Sequence, residues 1–142
     1  MDFSAGGITA AGDTTHPICS IYAAATRALF LTEAAIWNTS AAAVSLKLVR
    51  ITTAGTPGTG ATEASWDNVA TAVATVFGTH TGTAPTLGAD LGIRMYLPAG
   101  SGAVRTFGGH GIEVPAVANA GVGWIVESGT GQICLYDFSW TE

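Results

Sequence analysis

The chain has 142 residues, of which 48% are hydrophobic and only 11% charged, and its net charge is −5. This length fits one domain with a core. The charged fraction lies well below the roughly 25% of an ordinary soluble domain. A low charge is typical of a surface that faces other protein. The five basic residues are scattered and no long uncharged apolar stretch is present, so we expect neither a nucleic-acid nor a membrane partner.

The order of apolar runs and turn residues favours β-strands. The chain holds 19 Gly and 20 Thr, and short apolar runs alternate with Gly/Pro/Ser/Thr clusters. This spacing is typical of the strands of a sandwich or barrel. In chain order, we predict strands at residues 17–25, 28–38, 43–53, 70–77, 92–98, 103–108 with a short continuation at 111–114, 122–128 and 131–140.

These elements predict an all-β fold, a single-domain antiparallel β-sandwich of about eight strands with a jelly-roll-like topology. The strand order stays open. The domain is expected to span residues 1–142, with residues 1–16 as an N-terminal arm. Two long Gly/Thr-rich loops, at residues 54–68 and 78–90, are expected to contact a partner, because long loops in small domains are commonly functional.

Alternation within two predicted strands divides their side chains between two faces. In strand 43–53, Val44, Leu46 and Leu48 share one face. In strand 131–140, one face holds Ile133, Leu135 and Asp137, and the other holds Cys134, Tyr136 and Phe138.

The two cysteines, Cys19 and Cys134, lie near opposite ends of the sequence. A disulfide between them would join the first predicted strand to the last. In a cytoplasmic assembly, buried free thiols are the expected state. The spacing is not that of a zinc site.

No group of residues has the spacing of a catalytic site. Gly100, Ser101 and Gly102 lack the first glycine of a hydrolase nucleophile elbow and predict a turn between strands. The histidines stand far apart, at His16, His80 and His110. We therefore predict no catalytic, cofactor-binding or metal-binding residue, and we expect that the chain is not an enzyme.

Tryptophans are the remaining candidates for binding. Trp37, Trp124 and Trp140 fall in predicted strands, where packing in the core is expected. Trp66 falls in a loop and is predicted to be exposed. It would serve either as an interface anchor, since tryptophan is enriched at interface hot spots, or as a stacking platform for a sugar.

Four segments resemble stretches of small phage-encoded β proteins. They are residues 48–58 (LVRITTAGTPG), 77–81 (FGTHT), 85–88 (PTLG) and 129–142 (GTGQICLYDFSWTE). These segments are similar to proteins of tailed phages of actinobacteria and of related prophage regions. They lie between residues 48 and 142, and none is a catalytic motif. The resemblance implies a virion subunit.

Size, acidity and low charge favour a capsid decoration, or cement, protein among the virion roles. We expect it on the outer capsid surface, bound to the major capsid protein and self-associated as a homotrimer. The first residues carry no secretory signal, so we expect synthesis in the host cytoplasm. The expected contact residues are Met1 and Phe3 in the arm, Trp66 in the first long loop and His80 in the second. The alternative is a tail or fibre-tip subunit that recognises a host glycan through Trp66.

Overall fold

The computed structural model describes residues 1–142 and contains eleven β-strands and no helix. The strands are β1 (Asp2–Ile8), β2 (Cys19–Tyr22), β3 (Leu29–Asn38), β4 (Val44–Thr53), β5 (Ala64–Ser65), β6 (Thr75–Phe77), β7 (Thr86–Leu97), β8 (Gly102–Thr106), β9 (Ile112–Val114), β10 (Gly121–Ser128) and β11 (Cys134–Thr141).

The strands form two antiparallel sheets that pack against each other. The six-stranded sheet has the order β5-β1-β11-β3-β8, and β9 also pairs with β3, beyond the end of β8. The five-stranded sheet has the order β6-β2-β10-β4-β7. If β8 and β9 count as one strand and the short β5 and β6 as additions at the edges, eight strands remain in jelly-roll order. The predicted fold class is confirmed.

The space between the sheets holds the core. Twenty-five buried residues form one hydrophobic cluster there. Trp124 and Trp140 lie in it fully buried, as predicted. Leu46 and Leu48 of β4 also point into it, which confirms the alternation expected for residues 43–53.

Part of the outer face of the five-stranded sheet is covered by the chain itself. Val49 and Ile51 of β4 alternate with Leu48, so they lie on the side away from the central core, yet both are buried. Tyr22 and Ile125 are likewise buried outside the central cluster. A second, smaller apolar layer therefore lies on this sheet.

Residues 1–16 do not form a separate arm, which corrects the prediction. Residues 2–8 are strand β1, an integral part of the six-stranded sheet, and pair with β11 in continuous register from Asp2↔Thr141 to Ile8↔Leu135. The sequence hides this strand because Gly6 and Gly7 have low strand propensity. Its stability comes from pairing with a segment at the other end of the chain.

Both cysteines are buried and unbonded, in agreement with the expectation of free thiols. Cys19 begins β2 and Cys134 begins β11, so they belong to different sheets. Burial raises the pKa of the Cys134 thiol to about 11.

Candidate functional site

The four predicted contact residues divide into two exposed and two buried ones. Met1 and Trp66 are exposed. Phe3 is buried and stacks on Trp140, with ring centroids 5.8 Å apart, so it is a core residue and not a surface contact. The prediction for Phe3 is therefore wrong, because the strand that carries it was taken for a free arm.

His80 is also buried, which corrects its assignment as a contact residue. Its backbone N–H donates to the carbonyl of Pro17 at 3.0 Å. Its Nε2 lies 2.9 Å from both the Tyr22 hydroxyl and the Ala54 carbonyl oxygen. These hydrogen bonds attach the second long loop to the outer side of the five-stranded sheet. Burial of the His80 ring lowers its pKa. The contacts of His80 are therefore made within the chain and not with a partner.

The outer face of the six-stranded sheet carries an exposed row of apolar side chains. Strand pairing aligns Ile8 of β1 with Leu135 of β11, and Leu135 with Trp37 of β3. These side chains are 65%, 47% and 53% exposed, and Val104 of β8 beside them is 61% exposed. We call these four residues the apolar row. A contiguous apolar patch on a sheet face is a feature of interaction sites.

Trp37 is the residue of this row that sequence reasoning placed wrongly. It was predicted to lie in the core, but its neighbour Ile36 points inward and Trp37 points outward. Its indole lies against Gly102, where a Cβ atom would come within 2.4 Å of Cε3. The absence of a side chain at Gly102 therefore makes room for the ring on the sheet surface. The available signal was incomplete, because alternation placed Leu135 and Asp137 on one face of the last predicted strand without deciding which face is outward.

The apolar row borders a shallow groove of about 420 Å³. Ala35, Trp37, Leu135 and Asp137 contribute to its lining. Of these, Asp137 alone carries a charged group, and its pKa is raised, chiefly by partial burial and also by the negative charge of Glu33. This end of the sheet face therefore has few charged groups that would lose their hydration if a partner covered it.

A second groove, more polar, lies at the other end of the same face. It has a volume of about 470 Å³ and is lined by residues that include Ser4, Glu33, Asp137 and Ser139, with Trp66 at its side. The Trp66 indole Nε1–H donates to the Ser4 hydroxyl at 3.2 Å, which fixes the ring beside strand β1. We call this site the Trp66 groove. The exposure of Trp66 is as predicted.

No group of three or more histidine, cysteine, aspartate or glutamate side chains is placed to hold a metal ion. Glu33 and Asp137 make no ion pair with a basic side chain within 4.0 Å. What the geometry provides is surface for binding: an apolar row at one end and a polar groove with an indole at the other.

Comparison of the chain with protein families, curated proteins and solved structures gave no match. The structure has no helix with the length and apolarity needed to cross a bilayer.

Proposed function

We propose that the chain is a non-enzymatic structural protein of a phage virion, most specifically a capsid decoration protein. In this proposal, it binds the major capsid protein on the outer surface of the assembled shell and stabilises that shell. The observation that carries the proposal is the apolar row on the six-stranded sheet. The jelly-roll order of the strands, an architecture shared by viral capsid domains, also supports it.

The two outer faces of the sandwich differ in a way that favours a partner on one of them. On the outer side of the five-stranded sheet, Val49 and Ile51 are buried within the chain. The six-stranded sheet leaves Ile8, Trp37 and Leu135 in solvent. Burial of apolar surface against a partner stabilises the complex by roughly 25 cal/mol per Å². A partner protein that covers the apolar row would therefore bind the chain through these side chains.

The proposed mechanism is stabilisation by mass action. A protein that binds the assembled lattice and not its dissociated subunits lowers the free energy of the assembled state by RT ln(1 + [L]/Kd). Association of three copies at a three-fold position would add avidity, because two contacts remain when one dissociates.

The test uses capsids assembled with and without the purified chain. We expect capsids with the chain to resist heat better, and the chain to cosediment with them. Leu135→Glu places a charge in the centre of the apolar row and is expected to abolish cosedimentation. Tyr96→Glu is the control, because Tyr96 is a large side chain on β7 of the other sheet and is even more exposed, at 68% against 47% for Leu135. Bare capsids that survive heat as well as decorated ones would contradict the proposal, as would normal binding of Leu135→Glu.

Glycan recognition by a tail or fibre-tip subunit is the second candidate, and the Trp66 groove favours it. A fixed, exposed indole beside three hydroxyls and two carboxylates offers a stacking surface together with hydrogen-bonding groups. A glycan array with the intact chain tests this candidate. Trp66→Ala should remove any signal, whereas Trp37→Ala should leave it unchanged. An array without hits would count against glycan recognition and leave the decoration proposal in place.

A further inference from the structure

A further cavity lies away from the apolar row and the Trp66 groove. It has a volume of about 650 Å³ and opens between strands β4 and β7 on one side and residues 113–121 on the other. Because β9 belongs to the six-stranded sheet, this cavity is an opening between the two sheets. We call it the inter-sheet mouth. It shares no lining residue with the two grooves on the six-stranded sheet.

Arg50 supplies the positive charge of the inter-sheet mouth. It follows Leu48 by two positions on β4, so it points to the same side of the strand, at the rim of the core. One Nη1–H donates to the backbone carbonyl of Glu113 on the opposite sheet. A guanidinium has five N–H donors, so this bond leaves most of them free. No carboxylate lies within 4.0 Å of Arg50, unlike Arg94 with its two acidic partners.

Glu113 does not neutralise that charge. Its neighbour Val114 points into the core and is fully buried, so the Glu113 side chain points to the opposite, solvent-exposed face of β9. Glu113 therefore offers Arg50 its backbone oxygen alone. The guanidinium remains without an anionic partner at the edge of the cavity.

The rest of the inter-sheet mouth is largely apolar. Pro115, Val117, Ala118 and Ala120 line it from the β9–β10 connection, and Ala89 lines it from β7. A concave, mainly apolar site with one well-placed polar group is the usual form of a small-ligand site. A guanidinium prefers carboxylates, which it can bind through two parallel hydrogen bonds.

We propose that the inter-sheet mouth binds a carboxylate carried on an apolar group. Arg50 pairs with the carboxylate, and the apolar wall covers the body of the ligand. Two sources share this chemistry: a small carboxylic acid, and the C-terminal residue of a peptide with an apolar side chain. The site goes beyond the proposed role in the capsid and does not depend on it.

The experiment is an NMR titration of the intact chain with four probes. They are 4-phenylbutyrate, its neutral amide 4-phenylbutanamide, N-acetyl-alanyl-phenylalanine, and the amidated form of that dipeptide. We expect an acid to shift the backbone signals of residues 115–121 and the Arg50 side-chain signal. Its amide should bind about tenfold more weakly, because it lacks the charge-assisted bond. Binding of the small acid, the peptide acid or both supports the site and identifies the source.

Three variants complete the test. Arg50→Met should weaken acid binding at least about tenfold, to the level of the amide. Arg105→Met is the matched control, since Arg105 is exposed on β8 and does not line the mouth, and it should bind normally. Ala118→Phe should block the cavity while Arg50 stays intact, which separates binding from any stabilising role of the Arg50–Glu113 bond. Thermal unfolding establishes that each variant is folded.

Equal affinity for acid and amide, unchanged binding by Arg50→Met, or no shift with either acid would overturn the proposal. Neither Arg50→Met nor Ala118→Phe alters the apolar row, so both should still cosediment with capsids. Failure of this site and failure of the decoration role are thus distinguishable.

Discussion

Leu135 of β11 lies directly opposite Trp37 of β3, and both side chains are about half exposed although their strands are in the interior of the six-stranded sheet. Interior strands are commonly covered on one face by the core and face water with polar residues on the other. Here the water-facing positions of two neighbouring interior strands are apolar. This pair is the centre of the surface that we propose for docking.

The first prediction is that the apolar row is not needed for folding. Leu135→Ala should change the free energy of unfolding by less than about 0.5 kcal/mol, as surface substitutions usually do. Leu46→Ala is the matched control, because Leu46 is fully buried on β4, and it should cost about 2–5 kcal/mol. Urea unfolding followed by tryptophan fluorescence measures both. A Leu135→Ala loss as large as that of Leu46→Ala would mean that the residue stabilises the isolated fold.

The second prediction concerns the carboxylate of Glu142, whose side chain is only 1% exposed. It accepts hydrogen bonds from the backbone N–H groups of Val73 and Ala74, at 3.0 and 2.9 Å, and from Trp140 Nε1 at 2.9 Å. Glu142→Gln should cost about 1–3 kcal/mol, because an amide cannot accept on both sides. It should also speed proteolysis near residues 66–74, which lose their attachment.

Glu127→Gln is the control for that variant. Glu127 pairs with Arg94 at the surface, so its loss should cost no more than about 1 kcal/mol. Urea unfolding measures the loss of stability, and limited digestion with chymotrypsin, which cleaves after aromatic residues such as Trp66, measures the exposure of residues 66–74. Equal stability of Glu142→Gln and the unchanged chain would show that the buried carboxylate contributes nothing to the fold.

The third prediction is a pH dependence that arises from His80. Burial lowers its pKa below the ordinary value of 6.5, so the folded chain keeps the ring neutral where the unfolded chain takes up a proton. The free energy of unfolding should therefore fall as the pH drops below 6.5 toward the folded-state pKa, with a slope of at most about 1.4 kcal/mol per pH unit. His80→Gln should remove this slope in urea unfolding between pH 8 and 5.

His16 serves as a control of opposite sign. Its Nδ1 lies 2.9 Å from the Asp13 carboxylate, and this hydrogen bond raises its pKa. Its stabilising contribution is complete below pH 6.5 and disappears as the pH rises through the folded-state pKa. His16→Asn should therefore alter stability in acid and leave it unchanged above that pKa. A His80→Gln variant that kept the wild-type acid slope would refute the assignment to His80.

The fourth prediction is that the two thiols are unreactive in the native protein. Cys19 and Cys134 are buried, and burial raises the pKa of each, so little thiolate is present at neutral pH. Ellman's reagent should label them only as fast as the chain unfolds, and denaturant should release two thiols per chain. Cys134→Ser should release one. Rapid labelling without denaturant would indicate that a thiol is accessible in the folded state.

Local patterns in the sequence were sufficient to predict much of the fold. Apolar alternation at Val44, Leu46 and Leu48 and the spacing of glycine-rich turns predicted an all-β sandwich, since a strand with one face in the core must alternate. The exposure of Trp66, predicted from its position in a Gly/Thr-rich loop, is also confirmed. These features depend on residues close together in the chain.

The candidate surface was predicted only in part, because it depends on which strands become neighbours. Trp37 follows the apolar Ile36, so alternation alone did not decide which of the two points inward. Phe3 was misplaced because its strand exists only by pairing with β11. His80 was misplaced because no local pattern shows that Tyr22 and Ala54 surround it.

The sequence by itself determined the fold class, the burial of Trp124 and Trp140 and the low charge of the surface, because these follow from composition and short-range periodicity. The tertiary structure alone decided that Ile8, Leu135 and Trp37 form one row and that Arg50 faces an apolar cavity without an acidic partner. The physical reason is that pairing between distant strands sets their register, and register determines which side chains share a surface.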